Sequence, residues 1–183
     1  MPSNKMNVQD GAVSHEVTRA RRVWVIRAGK RSSVHSLFVD HGLIALGRQH
    51  VGDLSRLPAE MGLFLDHVRQ LAIRGGASTE PTSLGRLAGT FFRFIHVMHD
   101  GDIAIYPATK VEGKLYIGVV SGPYGHQPEP DPEFPHQRSV SWLKSLPRTT
   151  FSGSVLSELG AFSPFFEVKR NIAPLLAFAA RRG

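Results

Sequence analysis

The sequence predicts a mixed α/β domain, and three observations carry that expectation. Leu84, Leu87, Ala88, Phe91, Ile95 and Met98 recur at i, i+3, i+4 and i+7 spacing, which gives a helix one apolar face. Asp102 to Tyr106 alternates, with Ile103 and Ile105 on one side, and Leu115, Ile117 and Val119 repeat the pattern after a Val111-Glu112-Gly113-Lys114 hairpin turn. Near the start, Val23 to Arg27 (VWVIR) reads as a strand ended by the small residues Ala28 and Gly29. Between helix and hairpin, His99-Asp100-Gly101 offers a glycine for a left-handed helix cap.

The remaining elements follow in order. Residues 1–21 are polar, mixed and aperiodic and read as a disordered leader. In the first strand Trp24 and Ile26 point one way, Val23 and Val25 the other. Ser33 caps a short helix, Val34 to Asp40, which Gly42 closes before a second strand, Leu43 to Leu46. Pro58 sits where the next helix begins, with Phe64, Val68 and Leu71 on its buried face through to Arg74. Gly75-Gly76-Ala77-Ser78 with Pro81 is a flexible loop, and the central helix follows. Gly118 interrupts its strand and marks a bend or a close neighbouring backbone.

Beyond Tyr124, the stretch Gly125 to Pro135 has four prolines. Each removes a ladder donor, so the segment reads as an ordered surface loop or flap. His136 to Leu143 returns to strand, with Arg138, Val140 and Trp142 on one face; Trp142 belongs to the core. Ser152 caps a helix carrying Val155, Leu156 and Leu159 and ended by Gly160; Phe165 to Lys169 is the last strand. The domain is expected over residues 22–171, with 172–183 a tail or the start of a linker.

Composition narrows the function classes. The chain has 183 residues, enough for a core without staples, and no cysteine, so disulfides and thiolate metal sites are excluded. It shows no apolar run of spanning length and no signal-peptide layout, and a cytoplasmic location is expected. Twenty-two Lys and Arg against 15 Asp and Glu give a net charge of +7, which favours an anionic partner, nucleic acid first. Arg19, Arg21 and Arg22 cluster just before the first strand, either as phosphate contacts or as a solvated flank.

Catalytic signatures are weak. Glu167-Val168-Lys169, with Pro130-Asp131 upstream, has the residue types of a metal-dependent nuclease. Yet that Asp lies in the proline-rich loop, and alternation on a strand yields Glu-x-Lys without further cause. His96 and His99 share an i, i+3 spacing but lack a convincing third ligand. No nucleophile elbow and no phosphate-cradling glycine loop occurs, so no catalytic residue, metal or cofactor is expected.

One resemblance sharpens the expectation. Gly89, Arg93-Phe94, Gly101-Asp102, Tyr116-Ile117-Gly118-Val119, Gly122, Tyr124, Pro135-His136, Arg138, Val140 and Trp142-Leu143, in that order and spacing, resemble the EVE-like branch of the PUA superfamily. More narrowly, they resemble the domain that precedes Mrr-type and McrB-type restriction proteins. The opening strand and Gly160-Ala161-Phe162 match as well, so the likeness covers roughly Arg22 to Asn171. The resemblance implies a PUA-like (EVE/YTH-type) curved or closed barrel of five to six strands with helices around it. It implies a DNA-binding specificity module in a restriction or antiviral-defence context, which flips a modified base into an aromatic-walled pocket, with any nuclease in a separate effector. Carried over, the pocket is Trp24, Arg27, Ala28, Gly29, Gly89, Thr90, Arg93 and Tyr124; the basic residues Arg19, Arg21, Arg22, Lys30 and Arg31 are expected to position phosphates. Many relatives carry tryptophan after the second strand's glycine; here Arg48 follows Gly47 and makes the pocket more open or more polar. An RNA-binding module, a small-molecule sensor and a small nuclease are the alternatives.

Overall fold

In the computed structural model, residues 19–27, 33–76, 80–108 and 112–180 are described. They form a mixed α/β fold around one strongly curled seven-stranded sheet, a half-barrel with helices packed about it. The strands are β1 (Val23–Ile26), β2 (Leu43–Leu46), β3 (Ile103–Ala108), β4 (Lys114–Val120), β5 (Gly125–His126), β6 (His136–Pro147) and β7 (Phe165–Glu167). Their order is β2-β6-β4-β3-β1-β7, with β5 on β6; β1 and β3 are parallel and every other pair is antiparallel. The count exceeds the five to six expected. The added pairing is the two-residue β5, which slips in just ahead of the prolines.

The curl has a visible cause in β6. Its first four residues pair with β2, and Val140 to Pro147 pair with β4, so one strand serves neighbours on both sides in succession. At Gly118 the β4–β6 register shifts, and a Cβ there would stand 2.6 Å from Val140 Cγ1 and 2.9 Å from the Ser141 carbonyl. The glycine is where the two backbones close on each other.

Both sheet faces are covered, which is why β1 reads VWVI with no polar residue. Trp24 and Ile26, with Ala104, Tyr106, Val120 and Val140, face the helices α1 (Ser33–Val39), α2 (Met61–Arg74) and α3 (Pro81–Phe92). Val23, Val25, Ile103, Ile105, Leu115 and Ile117 face α4 (Gly153–Leu159) and α5 (Ile172–Ala180). The tail expected at 172–183 is therefore, as far as Ala180, a structural helix. Leu175 is fully buried, and the Phe178 ring lies 4.8 Å from that of Phe151.

Two helix expectations shift. α2 begins at Met61 rather than at Pro58, with Phe64, Val68 and Ala72 buried and Leu71 only half-buried. After Phe92 the central helix widens into a π turn, Arg93–Val97, closed by Met98 N–H to the Arg93 carbonyl. The extra residue per turn rotates Phe94 into the core in place of Ile95. Gly101 ends the unit with φ 86°, as its sequence position predicts.

Two buried charges lock this unit to the sheet. Arg138 donates through Nε to the Phe94 carbonyl (2.8 Å), through Nη1 to Gly122 (3.0 Å), and through Nη2 to Ile95 (2.9 Å) and Met98 (3.0 Å). It satisfies carbonyls that the π turn leaves without helical partners. Asp102, also fully buried, accepts from Trp24 Nε1 (2.9 Å), the backbone N–H groups of Arg22 and His99 (3.1 Å each) and the Arg19 guanidinium.

Candidate functional site

The feature that stands out is a cleft of about 820 Å³. Its main wall is α3, whose first turn is held by Glu80. That side chain accepts from the backbone N–H groups of Thr82 and Ser83, and hydrogen bonds from these two residues keep its carboxyl down at about 2. Helical periodicity then places Ser83, Arg86, Leu87, Thr90 and Phe91 on one face, toward the cleft. The far end of β2 supplies Arg48, and the segment before β7 supplies Phe162 to Pro164. Phe134, from the proline-rich segment, closes another side.

Each wall is fixed by hydrogen bonds. At the end of β1, Arg27 binds the third wall and the end of α4 before it. Its backbone N–H donates to the Pro164 carbonyl (2.9 Å) and its Nη2 to the Leu159 carbonyl (2.5 Å). Burial lowers the Arg27 pKa, and its Nε is buried without a partner. The proline-rich segment is held from below by Gln137, whose amide nitrogen faces the carbonyls of Gln127, Glu129 and Phe134 at 3.0–3.1 Å. Arg48 is the one described non-glycine residue with positive φ (81°), a left-handed conformation that costs about 1–2 kcal/mol. Phe162 is fully exposed.

The chemistry of the lining is one-sided. Arg27, Arg48, Arg86 and Arg93 all face the cleft, and no carboxylate is among the described lining residues. Such a site attracts anions, and Phe134 and Phe162 provide flat apolar surface beside the charges.

Of the expected pocket residues, the structure brings Arg27, Arg48, Thr90 and Arg93 together on this cleft. Gly89 lies just behind it; a Cβ there would come within 3.3 Å of Arg93 Nη1. Ala28, Gly29, Lys30 and Arg31 lie outside the described residues. Trp24 is a correction. It is fully buried, stacks on Phe165 with centroids 5.0 Å apart, and spends its N–H on Asp102, so it is no stacking wall. Tyr124 does not line the cleft either. Its hydroxyl pairs with His136 Nδ1 (2.9 Å), and burial pushes its pKa up to about 12.

The expected phosphate contacts also change character. Arg19 is committed to Asp102, and Arg22 Nε lies 3.9 Å from Glu167; only Arg21 of this trio is exposed without a described partner. The reason is the buried Asp102 carboxylate, which needs every donor it can recruit. These residues precede β1 while Arg27 follows it. The two groups are separated by the length of the strand, about 15 Å.

The other candidates resolve into local contacts. Lys169 Nζ pairs with Glu167 (2.6 Å), and Asp131 accepts from the Glu133 N–H (3.0 Å). The His96 ring packs against Phe64 and Phe92, with burial lowering its pKa, while His99 Nδ1 bonds the Val97 carbonyl. No cluster of three metal-ligating side chains occurs among the described residues. No described helix is long and apolar enough to cross a membrane.

Sequence reading missed Ser83, Arg86, Phe134 and Phe162. The first two were legible in principle, since Ser83, Arg86 and Thr90 share a helical face (i, i+3, i+7) beside the apolar one. Nothing in the chain marks Phe162 as exposed. No curated protein and no solved structure matches the chain. A family profile does match, over residues 24–156, which runs from β1 into α4 and takes in three of the four cleft walls. The chain therefore belongs to the family described as Domain of unknown function (DUF8426).

Proposed function

We propose that this domain is a DNA-binding specificity module that takes a modified base out of the duplex and holds it in the arginine-lined cleft. The observation that carries the reading is the convergence of four arginines and three phenylalanines on one cavity, with no carboxylate among its described lining residues. A flipped nucleotide brings a planar base and flanking phosphates together, and the lining offers a partner for each. The volume, about 820 Å³, suits a whole nucleotide with its phosphates better than a bare base. The curled sheet with helices about it agrees with the PUA-like, EVE-type architecture implied by the sequence resemblance. That resemblance in turn favours a cytoplasmic restriction or defence setting with chemistry left to a separate nuclease effector.

The test is binding to matched duplexes with unmodified, methylated, hydroxymethylated or glucosylated bases, beside matched RNA, for the parent and Arg86→Glu. Arg86 is exposed on α3, so its replacement leaves the fold intact. Selective binding to one modified duplex, lowered at least tenfold by Arg86→Glu, is the expected result. Binding equal across all duplexes and indifferent to the substitution would refute the reading, and tighter binding to RNA would redirect it.

A further inference from the structure

Resting on the cleft reading above, the hydrogen-bonding inventory of the lining says which base it takes. Its polar side chains are four guanidiniums and the hydroxyls of Ser83, Thr90 and Ser163. A guanidinium only donates. Thr90 gives its proton to the Arg86 carbonyl (2.9 Å) and Ser163 to that of Phe165 (2.9 Å), which leaves their oxygens as acceptors. No Asp, Glu, Asn, Gln or His side chain is among the described lining residues. The cleft is thus rich in forked donors and poor in acceptors.

Bases differ in what they ask of such a lining. Adenine and cytosine each present an exocyclic amino group, a donor that would meet guanidinium donors head-on. Guanine presents O6 and N7 side by side, the one base edge that matches an arginine fork bidentately. Its N1–H and amino group can be taken by spent hydroxyl oxygens such as those of Thr90 and Ser163. Thymine has two carbonyls, but an N–H separates them. A purine also offers the larger face to Phe162 and Phe134.

The four arginines divide by depth. Arg48 and Arg86 are exposed at the mouth, whereas Arg27 and Arg93 are half-buried. Arg27 is already anchored to Leu159, which leaves Arg93 as the freer inner fork. We infer that the cleft is specific for a guanine-type (6-oxopurine) base, read at its O6/N7 edge by the inner arginines, with the rim arginines holding the flanking phosphates.

The experiment is anisotropy titration of the full chain with duplexes carrying one central nucleotide opposite an abasic site. That nucleotide is guanine, 7-deazaguanine, 2-aminopurine, adenine, cytosine or thymine. Guanine is expected to bind about tenfold or more tighter than adenine, cytosine or thymine. Loss of N7 in 7-deazaguanine, or of O6 in 2-aminopurine, should remove that advantage. Arg93→Lys keeps the charge but loses the fork, so it should level the series at nearly unchanged mean affinity. Arg48→Gln should weaken all duplexes alike and reduce the salt slope by about one. Adenine or cytosine binding as tightly as guanine, or a 7-deaza substitution without effect, overturns the inference. If binding lacks base preference yet is still lost in Arg86→Glu, the guanine assignment fails and the cleft reading stands. If Arg86→Glu binds like the parent, both fall.

Discussion

Asp102 shows how one side chain can reassign its neighbours. A buried carboxylate is tolerable only when its lone pairs are filled, and Asp102 fills them from Trp24, Arg22, His99 and Arg19. Asp102→Ala should cost about 3–5 kcal/mol in denaturant unfolding, because it strands the Trp24 N–H and releases the Arg19 strap. Trp24 and Arg19 were the hardest residues to read from sequence for this reason. An aromatic in an apolar strand and an arginine ahead of it look the same whether they face a ligand or a buried acid 78 or more positions away. Arg27, Thr90 and Arg93 were named only through the family resemblance, and they share one cleft because a strand end and one helix face fix their direction. Two other buried groups set an acid response. Burial, then the neighbouring His126, depresses His136 from about 6.5 to about 4. Burial alone would raise Glu158, but the N–H groups of Arg170, Lys169 and Asn171 and the Asn171 side chain outweigh it and hold its carboxyl at about 2. Both folded values lie below the unfolded ones, so both contributions are complete at neutral pH and fade on acidification. Stability should begin to fall below about pH 6.5 through His136, with Glu158 adding its loss from about 4.5 down to about 2. Thermal melts across pH 2–8 check this, and His136→Phe should remove the upper limb alone.

At the scale of elements, the β4–β6 crossing is the tightest joint. Gly118→Ala would press a methyl to within 3 Å of Val140, Trp142 and the fixed Ser141 carbonyl, so a destabilisation of about 1–3 kcal/mol is expected in chemical unfolding. The position of that joint was readable, since a lone glycine in an alternating strand has few other causes. The π turn was not, because its extra residue leaves the apolar pattern intact and only exchanges Ile95 for Phe94 as the inward side chain. From outside the helix, Arg138 supports the widened turn by binding the carbonyls of Phe94, Ile95 and Met98. Helix α5 was hidden in a different way. Asn171 to Gly183 is short, apolar and basic, and only the uncovered face formed by Val23, Val25 and Ile117 gives it a place to dock.

For the whole molecule, the net charge of +7 becomes meaningful through its distribution. Arginines that pair internally, such as Arg19 and Arg138, add nothing to an outer field that steers an anion, while the four at the cleft act together. With the two rim arginines on phosphates, log affinity against log salt should have a slope of about −2 for duplex DNA, and Arg48→Gln with Arg86→Gln should remove most of it. A slope near zero in the parent would remove the electrostatic basis of the proposal. The mixed α/β class followed from periodicity, while helices packed about the strands were implied by the family resemblance. The sheet order followed from neither, because nothing in a four-residue apolar strand states which partners flank it.

That order has a consequence for synthesis on the ribosome. Strand β1, near the start of the chain, sits between β3 and β7, so its two edges are completed by Ile103–Ile105 and by Phe165–Glu167. At about 5–20 residues per second, the second edge emerges roughly 7–30 s after β1 itself. For that interval a wholly apolar tetrapeptide stands in the nascent chain with at least one backbone edge unpaired. The sheet of this domain can therefore close only once β7 has been made, and a partial chain ending before β7 is the species that chaperones must shield.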